Sequence, residues 1–232
     1  MSEARSWMEA AEAVARVAGE VALRHYHRGV TVETKDDGTP VSVADRQAEE
    51  AARAWLEKHC PADGILGEEL GMTRPEARRR WILDPIDGTK TFVRRVPLWG
   101  TLVALAEGET VLAGAAFFPA VDELVVAAQG AGCLWNGKPA RVSSVSKLSE
   151  AVLLTTDTRM GTPEQCRVLD GLCGRAGFAR TWGDCYGYLL VATGRAEAMA
   201  DMIMAPWDAA ALQPIIEEAG GAFTDWTGRR TA

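Results

Sequence analysis

No apolar run in this 232-residue chain approaches the length of a membrane span. The first residues, Met1-Ser2-Glu3-Ala4-Arg5, lead into an amphipathic pattern rather than an unbroken apolar stretch, so no secretory signal is read there. Excess positive charge is also missing. The formal net charge is -7, which disfavours DNA, RNA and anionic membranes as partners. The five cysteines are scattered and contain no C-x-x-C pair, a pattern of reduced thiols that points to the cytoplasm. Histidine is scarce too. His25 and His27 form an H-x-H, but positions i and i+2 of a helix face different ways, so a shared zinc is not expected there.

What is present is an ordinary globular composition, 47% hydrophobic and 25% charged, long enough to bury a sizeable core. Trp7, Ala11, Val14, Ala18 and Val21 recur at helical steps and predict a helix over 2–27. Residues 34–40 read as a loop. Ser42-Val43-Ala44-Asp45 has the S-x-x-D form of a capping box and opens a second helix to about His59. Short apolar runs at 81–83, 98–106, 111–118 and 124–128 predict strands of a largely antiparallel sheet, with a hairpin at Gly108-Glu109. Beyond Val142 the pattern alternates: strand 152–155, helices 163–174 and 186–192, strand 196–202, helix 209–218. The chain therefore reads as α/β. An α+β part over 1–140 carries the antiparallel sheet, and an α/β part over 141–232 completes one catalytic unit.

The chemistry concentrates in Trp81-Ile82-Leu83-Asp84-Pro85-Ile86-Asp87-Gly88-Thr89-Lys90. An apolar strand runs into two aspartates three residues apart, where Pro85 stiffens the turn and Gly88 permits unusual backbone geometry. Two such carboxylates can converge on hard cations, which prefer oxygen ligands. Gly88 and Thr89 then offer backbone N–H groups to an anion. A plain strand-to-turn junction accounts for this segment taken alone. A solvated loop accounts for Glu68-Glu69, an N-cap for Asp208, and the capping box for Asp45. Together, four acidic sites border apolar elements, and one adjoins the anion-binding turn. An acidic chain that handles an anion needs local positive charge, and divalent cations supply it.

Gly67-Glu68-Glu69, then Trp81-Ile82-Leu83-Asp84-Pro85-Ile86-Asp87-Gly88-Thr89, then Trp207-Asp208 with Glu218-Ala219-Gly220-Gly221, resemble the inositol monophosphatase family in order and over essentially the whole chain. The resemblance implies a lithium-sensitive, Mg²⁺-dependent phosphatase of small phosphate monoesters, commonly a homodimer. It also implies a layered α-β-α-β-α sandwich of the inositol monophosphatase/fructose-1,6-bisphosphatase type. Two to three Mg²⁺ ions are implied: Glu68, Asp84 and the carbonyl of Ile86 for the first, Asp84, Asp87 and Asp208 for the second, and Glu68 with water for a weaker third. Lys35 matches the family's loop lysine. Asp45 and Thr89 match the pair that orients the attacking water, Gly88 and Thr89 the phosphate-binding turn, and Asp201 a contact to the substrate's alcohol part. The family continues past Gly220-Gly221 and Asp225-x-x-Gly228 with a further strand and helix, which a sequence ending at Ala232 does not include.

Within the family the closest likeness is to the histidinol-phosphate phosphatase branch, carried by Asp87-Gly88-Thr89-Lys90-Thr91-Phe92-Val93-Arg94-Arg95-Val96-Pro97-Leu98-Trp99 and Trp182-Gly183-Asp184-Cys185-Tyr186-Gly187-Tyr188. Where the inositol branch has small residues, Asp184 places an anion. Histidinol phosphate carries an ammonium and an imidazole that can be cationic, whereas inositol offers hydroxyls. Asp184 and Asp201 suit such a leaving group, and Tyr186 or Tyr188 could stack on its ring. A helix cap is the other reading of Asp184. Lys90, Arg94 and Arg95 form either a solvated turn or a cluster steering phosphate inward. The competing functions are an inositol monophosphatase or broad-range phosphatase, and a non-catalytic scaffold that binds polyol phosphates. Aspartyl-phosphate chemistry, a Cys-x5-Arg loop and a P-loop are not indicated.

Overall fold

The computed structural model describes residues 2–29, 32–34 and 40–231, with the backbone alone for 32–34 and 40–42. Of the loop expected over 34–40, Lys35 and residues 36–39 lie outside the described residues, while Thr34 and Pro40 belong to strands. Helix α1 spans Glu3–Arg28, and α2 spans Val43–His59. Between them β1 (Val32–Thr34) pairs antiparallel with β2 (Pro40–Ser42).

The main sheet follows. Its strands are β3 (Gly64–Gly67), β4 (Gly71–Thr73), β5 (Arg79–Asp87), β6 (Gly100–Glu107), β7 (Thr110–Phe118), β8 (Glu123–Ala128), β9 (Gly132–Trp135) and β10 (Lys138–Pro139). They lie in the order β10-β9-β8-β7-β6-β5-β3-β4. Each neighbouring pair is antiparallel except β3 and β5, which run parallel. The hairpin at Gly108-Glu109 joins β6 to β7. A short α3 (Thr89–Val93) follows β5.

Side chains alternate across a strand, so β6 feeds two cores at once. Leu102 and Ala104 face one way, into a core with Phe118, Val125, Leu189, Ile215 and Ile216. Val103 and Leu105 face the other, against Ala11, Val14, Ala15, Ala18 and Ala22 of α1 and Ala48 and Ala52 of α2. The alanine-rich helix faces let α1 and α2 lie close to the sheet.

The second half is built from β11 (Val152–Leu154), α4 (Pro163–Cys173), β12 (Phe178–Arg180), α5 (Asp184–Ala192), β13 (Ala198–Met199), α6 (Pro206–Ala209) and α7 (Leu212–Glu218). Strands β12 and β13 flank β11, both parallel to it. Helices α5 and α7 fill the main sheet's second face, and α5 also bears on the small sheet through Gly187, which abuts Met199. The molecule is the layered α/β sandwich expected from the sequence. Two elements differ. The helix expected over 209–218 is broken into α6 and α7, because Pro214 has no N–H to give Ala210 and its ring crowds that carbonyl. The strand expected over 196–202 is only two residues long.

Candidate active site

The two aspartates of the Asp84-Pro85-Ile86-Asp87 segment do not sit in a turn. Strand β5 runs straight through them. Three residues apart on a regular strand, they would face opposite ways. The pairing with β6 slips instead: Asp84 lies opposite Leu102, and Asp87 lies opposite Gly100. One extra residue on β5 is thus a bulge, and it returns both carboxylates to one side. Proline is tolerated there because a bulge leaves a ladder position unpaired. Three of the freed groups have partners. Thr101 donates its hydroxyl hydrogen to the Pro85 carbonyl at 2.8 Å, and Ile86 N–H donates to Asp84 Oδ1 at 3.0 Å. Thr89 donates its hydroxyl hydrogen to the Ile86 carbonyl at 3.0 Å. Gly88 then turns the chain into α3 with φ +83, a conformation open to glycine.

Glu68 follows the end of β3, and its N–H donates to the Leu83 carbonyl at 3.1 Å, one residue before Asp84. Asp208 lies in α6, where Oδ2 accepts the Ala205 N–H at 2.7 Å. The carboxylate reaches back to hold the helix start while the residue still lines the site. Asp45, in the first turn of α2, is 1% exposed and is not on the described wall of the cavity; it lies behind the site, and its charge raises the pKa of Asp84.

Glu68, Asp84, Ile86, Asp87, Gly88, Thr89, Asp184, Asp201 and Asp208 line one cavity of about 490 Å³. Asp157 adds a carboxylate, and Lys90 is the only cationic residue on the described wall. Burial drives the Asp84 and Asp87 carboxyls well above the usual range. The charges of Glu68, Asp87, Asp208 and Asp45 add to the rise at Asp84, and those of Asp184, Asp208 and Asp201 at Asp87. Asp208 is pushed up to about 6, chiefly by burial, against the Ala205 N–H that favours its anion. A wall with seven carboxylates and one ammonium repels an anion unless cations sit in it. Among the described residues no three His, Cys, Asp or Glu side chains form a ready-made metal cage; the carboxylates border a shared space from different elements. The donor set is nevertheless all oxygen, which is what hard divalent cations take. The residues fit the implied metals on that ground.

The other side of the cavity comes from the second half. Asp184, the first residue of α5, holds φ +50, accepts the Thr91 hydroxyl hydrogen at 3.0 Å, and donates its N–H to Thr156 Oγ1 at 2.8 Å. Burial raises its carboxyl, offset by Thr91 and by the charge of Lys90. Asp201 accepts the Thr156 N–H at 3.1 Å. Burial raises Asp201 as well, offset by the hydrogen bonds from Thr156 and from the Tyr188 hydroxyl. That hydroxyl lies between the Asp201 carboxylate and the Met204 sulfur, 3.3 Å away.

Tyr186 is the correction. It does not line the cavity; its hydroxyl donates to Glu123 Oε1 at 3.2 Å, and its ring meets Phe118 edge-on at 5.5 Å. Two residues along a helix turn the side chain to another face, so Tyr188, four residues after Asp184, is the tyrosine that shares the aspartate's face. Arg94 and Arg95 do not line the cavity either, so Lys90 alone of that basic cluster reaches it. Sequence reasoning missed Thr156, Asp157 and the apolar wall of Met160, Met202, Ile203 and Met204, which come from loops without periodic signal.

Fold and site together define a phosphoric monoester hydrolase of a metal-dependent kind. The sequence model of the inositol monophosphatase family matches residues 3–232, and the chain belongs to that family. It is 43% identical over 220 residues to a histidinol-phosphatase of Chlorobaculum parvum, covering 94% of this chain and 85% of that one. It is 32% identical to an inositol-1-monophosphatase of Mesorhizobium japonicum over 226 residues, with 95% and 83% covered. Among solved structures, an inositol monophosphatase from Zymomonas mobilis superposes with a TM-score of 0.88 at 35% identity, covering 99% of this chain and 89% of the other.

Proposed function

We propose that the chain is a Mg²⁺-dependent phosphatase whose substrate is L-histidinol phosphate, hydrolysed to L-histidinol and phosphate. The observation that carries this reading is the excess of cavity carboxylates over the four assigned to metal: Asp184, Asp201 and Asp157 join Glu68, Asp84, Asp87 and Asp208. The likeness to histidinol-phosphatases supports it. Asp201 matches a position that meets the alcohol part throughout the family, where a carboxylate can accept from a neutral hydroxyl; Asp184 and Asp157 add charge that a neutral alcohol does not require. A leaving group that carries an ammonium and a protonatable ring does.

Glu68, Asp84, Asp87, Asp208 and the Ile86 carbonyl would hold two to three Mg²⁺ ions. When bound, these supply charge to the phosphoryl oxygens and make the attacking water more acidic. Asp45 and Thr89 orient that water, the hydroxyl hydrogen of Thr89 being held by the Ile86 carbonyl until it is needed. The N–H groups of Gly88 and Thr89 and the Lys90 ammonium meet the phosphate. Asp184 and Asp201 hold the ammonium and imidazole, and Met202, Ile203 and Met204 exclude water from the ring.

Phosphate release with Mg²⁺, comparing L-histidinol phosphate with inositol 1-phosphate at equal concentrations, tests the proposal. A large preference for histidinol phosphate is expected. Preference for the inositol ester, or none, returns the chain to the second reading, an inositol monophosphatase or broad-range enzyme, which the inositol-1-monophosphatase relatives favour.

A further inference from the structure

A carboxylate outside the cavity shapes the turn that carries Glu68. Glu49 lies on α2 four residues after Asp45 and is fully buried. Its Oε2 accepts the Glu69 N–H at 2.8 Å, and its Oε1 accepts the Leu70 N–H at 3.2 Å. The same Oε1 takes Arg53 Nε at 2.7 Å, one turn further along the helix. Arg53 in turn donates to the Gly71 carbonyl, closing the turn from its far end. The fit is tight: a Cβ on Gly67 would fall 1.9 Å from Glu49 Oε1. Gly67 has an ordinary negative-φ backbone, so its lack of a side chain serves this approach and not the local conformation.

Glu68 is therefore held on both sides. Its own N–H is fixed to Leu83 on the strand that carries Asp84. The next two N–H groups are fixed to the helix that carries Asp45. A buried carboxylate is costly unless paired and fully hydrogen-bonded. Here it has a guanidinium that is itself only 13% exposed, and two backbone donors. A surface turn with no task beyond reversing the chain needs no such long-range clamp.

We propose that Glu49 is a positioning residue for the metal site, setting the Glu68 carboxylate in register with Asp84. The inference rests on the reading of Glu68 and Asp84 as metal ligands. Partners that orient ligands typically change metal affinity ten- to a hundredfold when replaced.

The test is Mg²⁺ binding by titration calorimetry to the wild-type protein and to Glu49→Gln, Gly67→Ala and Asp84→Asn, each checked for fold by circular dichroism. Gly67→Ala pushes the Glu49 carboxylate aside without removing it. Both Glu49→Gln and Gly67→Ala are expected to raise the Mg²⁺ dissociation constant about tenfold or more. They should raise the Mg²⁺ concentration needed for half-maximal turnover, with the substrate KM unchanged at saturating Mg²⁺. A folded Glu49→Gln that binds Mg²⁺ within about twofold of wild type overturns the proposal, even if its metal-free melting temperature falls. Should Glu49→Gln fail to fold, the same outcomes are read from Gly67→Ala. A wild-type protein that binds no Mg²⁺, or an Asp84→Asn protein that binds it equally well, overturns the metal-site reading itself.

Discussion

The Thr91 hydroxyl donates to the Asp184 carboxylate across 3.0 Å, joining the segment after the β5 bulge to the first residue of α5. The bond spans the two halves of the chain and sets Asp184 Oδ2 3.0 Å from where a Cβ of Gly88 would lie. Asp184 is thus a joint between the turn proposed to bind phosphate and the wall proposed to hold the leaving group. Its charge and its hydrogen bond can be separated. Asp184→Asn keeps an acceptor for Thr91 and removes the charge. It is expected to lower kcat/KM for histidinol phosphate by about 10–100-fold, a loss of roughly 1.4–2.7 kcal/mol. Turnover of inositol 1-phosphate should change little. Thr91→Val keeps the charge and removes the bond, and is expected to cost both substrates about equally, on the order of 1 kcal/mol. Steady-state kinetics on the two esters separates these patterns. Equal losses for Asp184→Asn on both would assign Asp184 to the joint alone.

Asp84 is 2% exposed and surrounded by like charge, so its place in the fold is unfavourable in the absence of a cation. Asp84→Asn keeps an oxygen for the Ile86 N–H, which Asp84 Oδ1 holds at 3.0 Å. The metal-free variant is expected to be more stable than wild type by about 1 kcal/mol, a rise of about 2–4 °C in melting temperature for a domain of this size. The same change should abolish turnover, by about a thousandfold or more. A melt in chelator and an assay in Mg²⁺ check the two halves. A less stable variant would show that Asp84 is held by contacts other than those described.

The pH dependence of the metal-free protein follows from the same carboxylates. Asp208 rises from its ordinary 3.8 to about 6 in the folded chain, and Asp84 and Asp87 shift in the same direction. A raised carboxyl binds its proton more tightly when folded, so its contribution to stability is full below about pH 4. It is lost as pH rises through the folded pKa, because the unfolded chain ionises first. In chelator, the melting temperature should therefore fall as pH rises from about 4 through about 6, the range set by Asp208, with Asp84 and Asp87 acting in the same direction. Cations require the ionised carboxylates and displace their protons. The gain in melting temperature on adding Mg²⁺ should accordingly be larger at pH 8 than at pH 5.5. A gain independent of pH would place the ion away from these residues.

Much of this was legible in the chain. The α1 period, the hairpin at Gly108 and the apolar run of β6 are local signals, and local signals predict local elements. Motif likeness brought together Glu68, Asp84, Asp87 and Asp208, which no periodicity could have placed in one cavity. The turn expected at Pro85 is a bulge because Thr101, across the ladder, satisfies the Pro85 carbonyl, and cross-strand partners are invisible in a single segment. Glu49 escaped for a related reason. On its helix it reads as one more charge of a solvated face, and only the fold shows Glu69 and Leu70 donating to it.

Tyr186 and Tyr188 show how far residue type can mislead when geometry is unknown, and they give the last prediction. Tyr186 is occupied by Glu123, which also pairs with Arg195 at 2.7 Å, while Arg195 stacks on Trp135 at 4.8 Å. That group lies on the far side of α5 from Asp184. Tyr186→Phe is expected to leave KM for histidinol phosphate unchanged and to cost stability by about 1 kcal/mol, the worth of one partly buried hydrogen bond. Tyr188 meets Asp201 and the cavity. Removing its hydroxyl leaves the buried Asp201 carboxylate with one donor fewer, which favours the neutral acid and weakens its hold on a cationic ring. Tyr188→Phe should therefore raise KM for histidinol phosphate several-fold, on the order of 1 kcal/mol, with kcat little changed. Kinetics on both variants decide the assignment, and a KM effect at Tyr186 alone would place the leaving group on the other face of the helix.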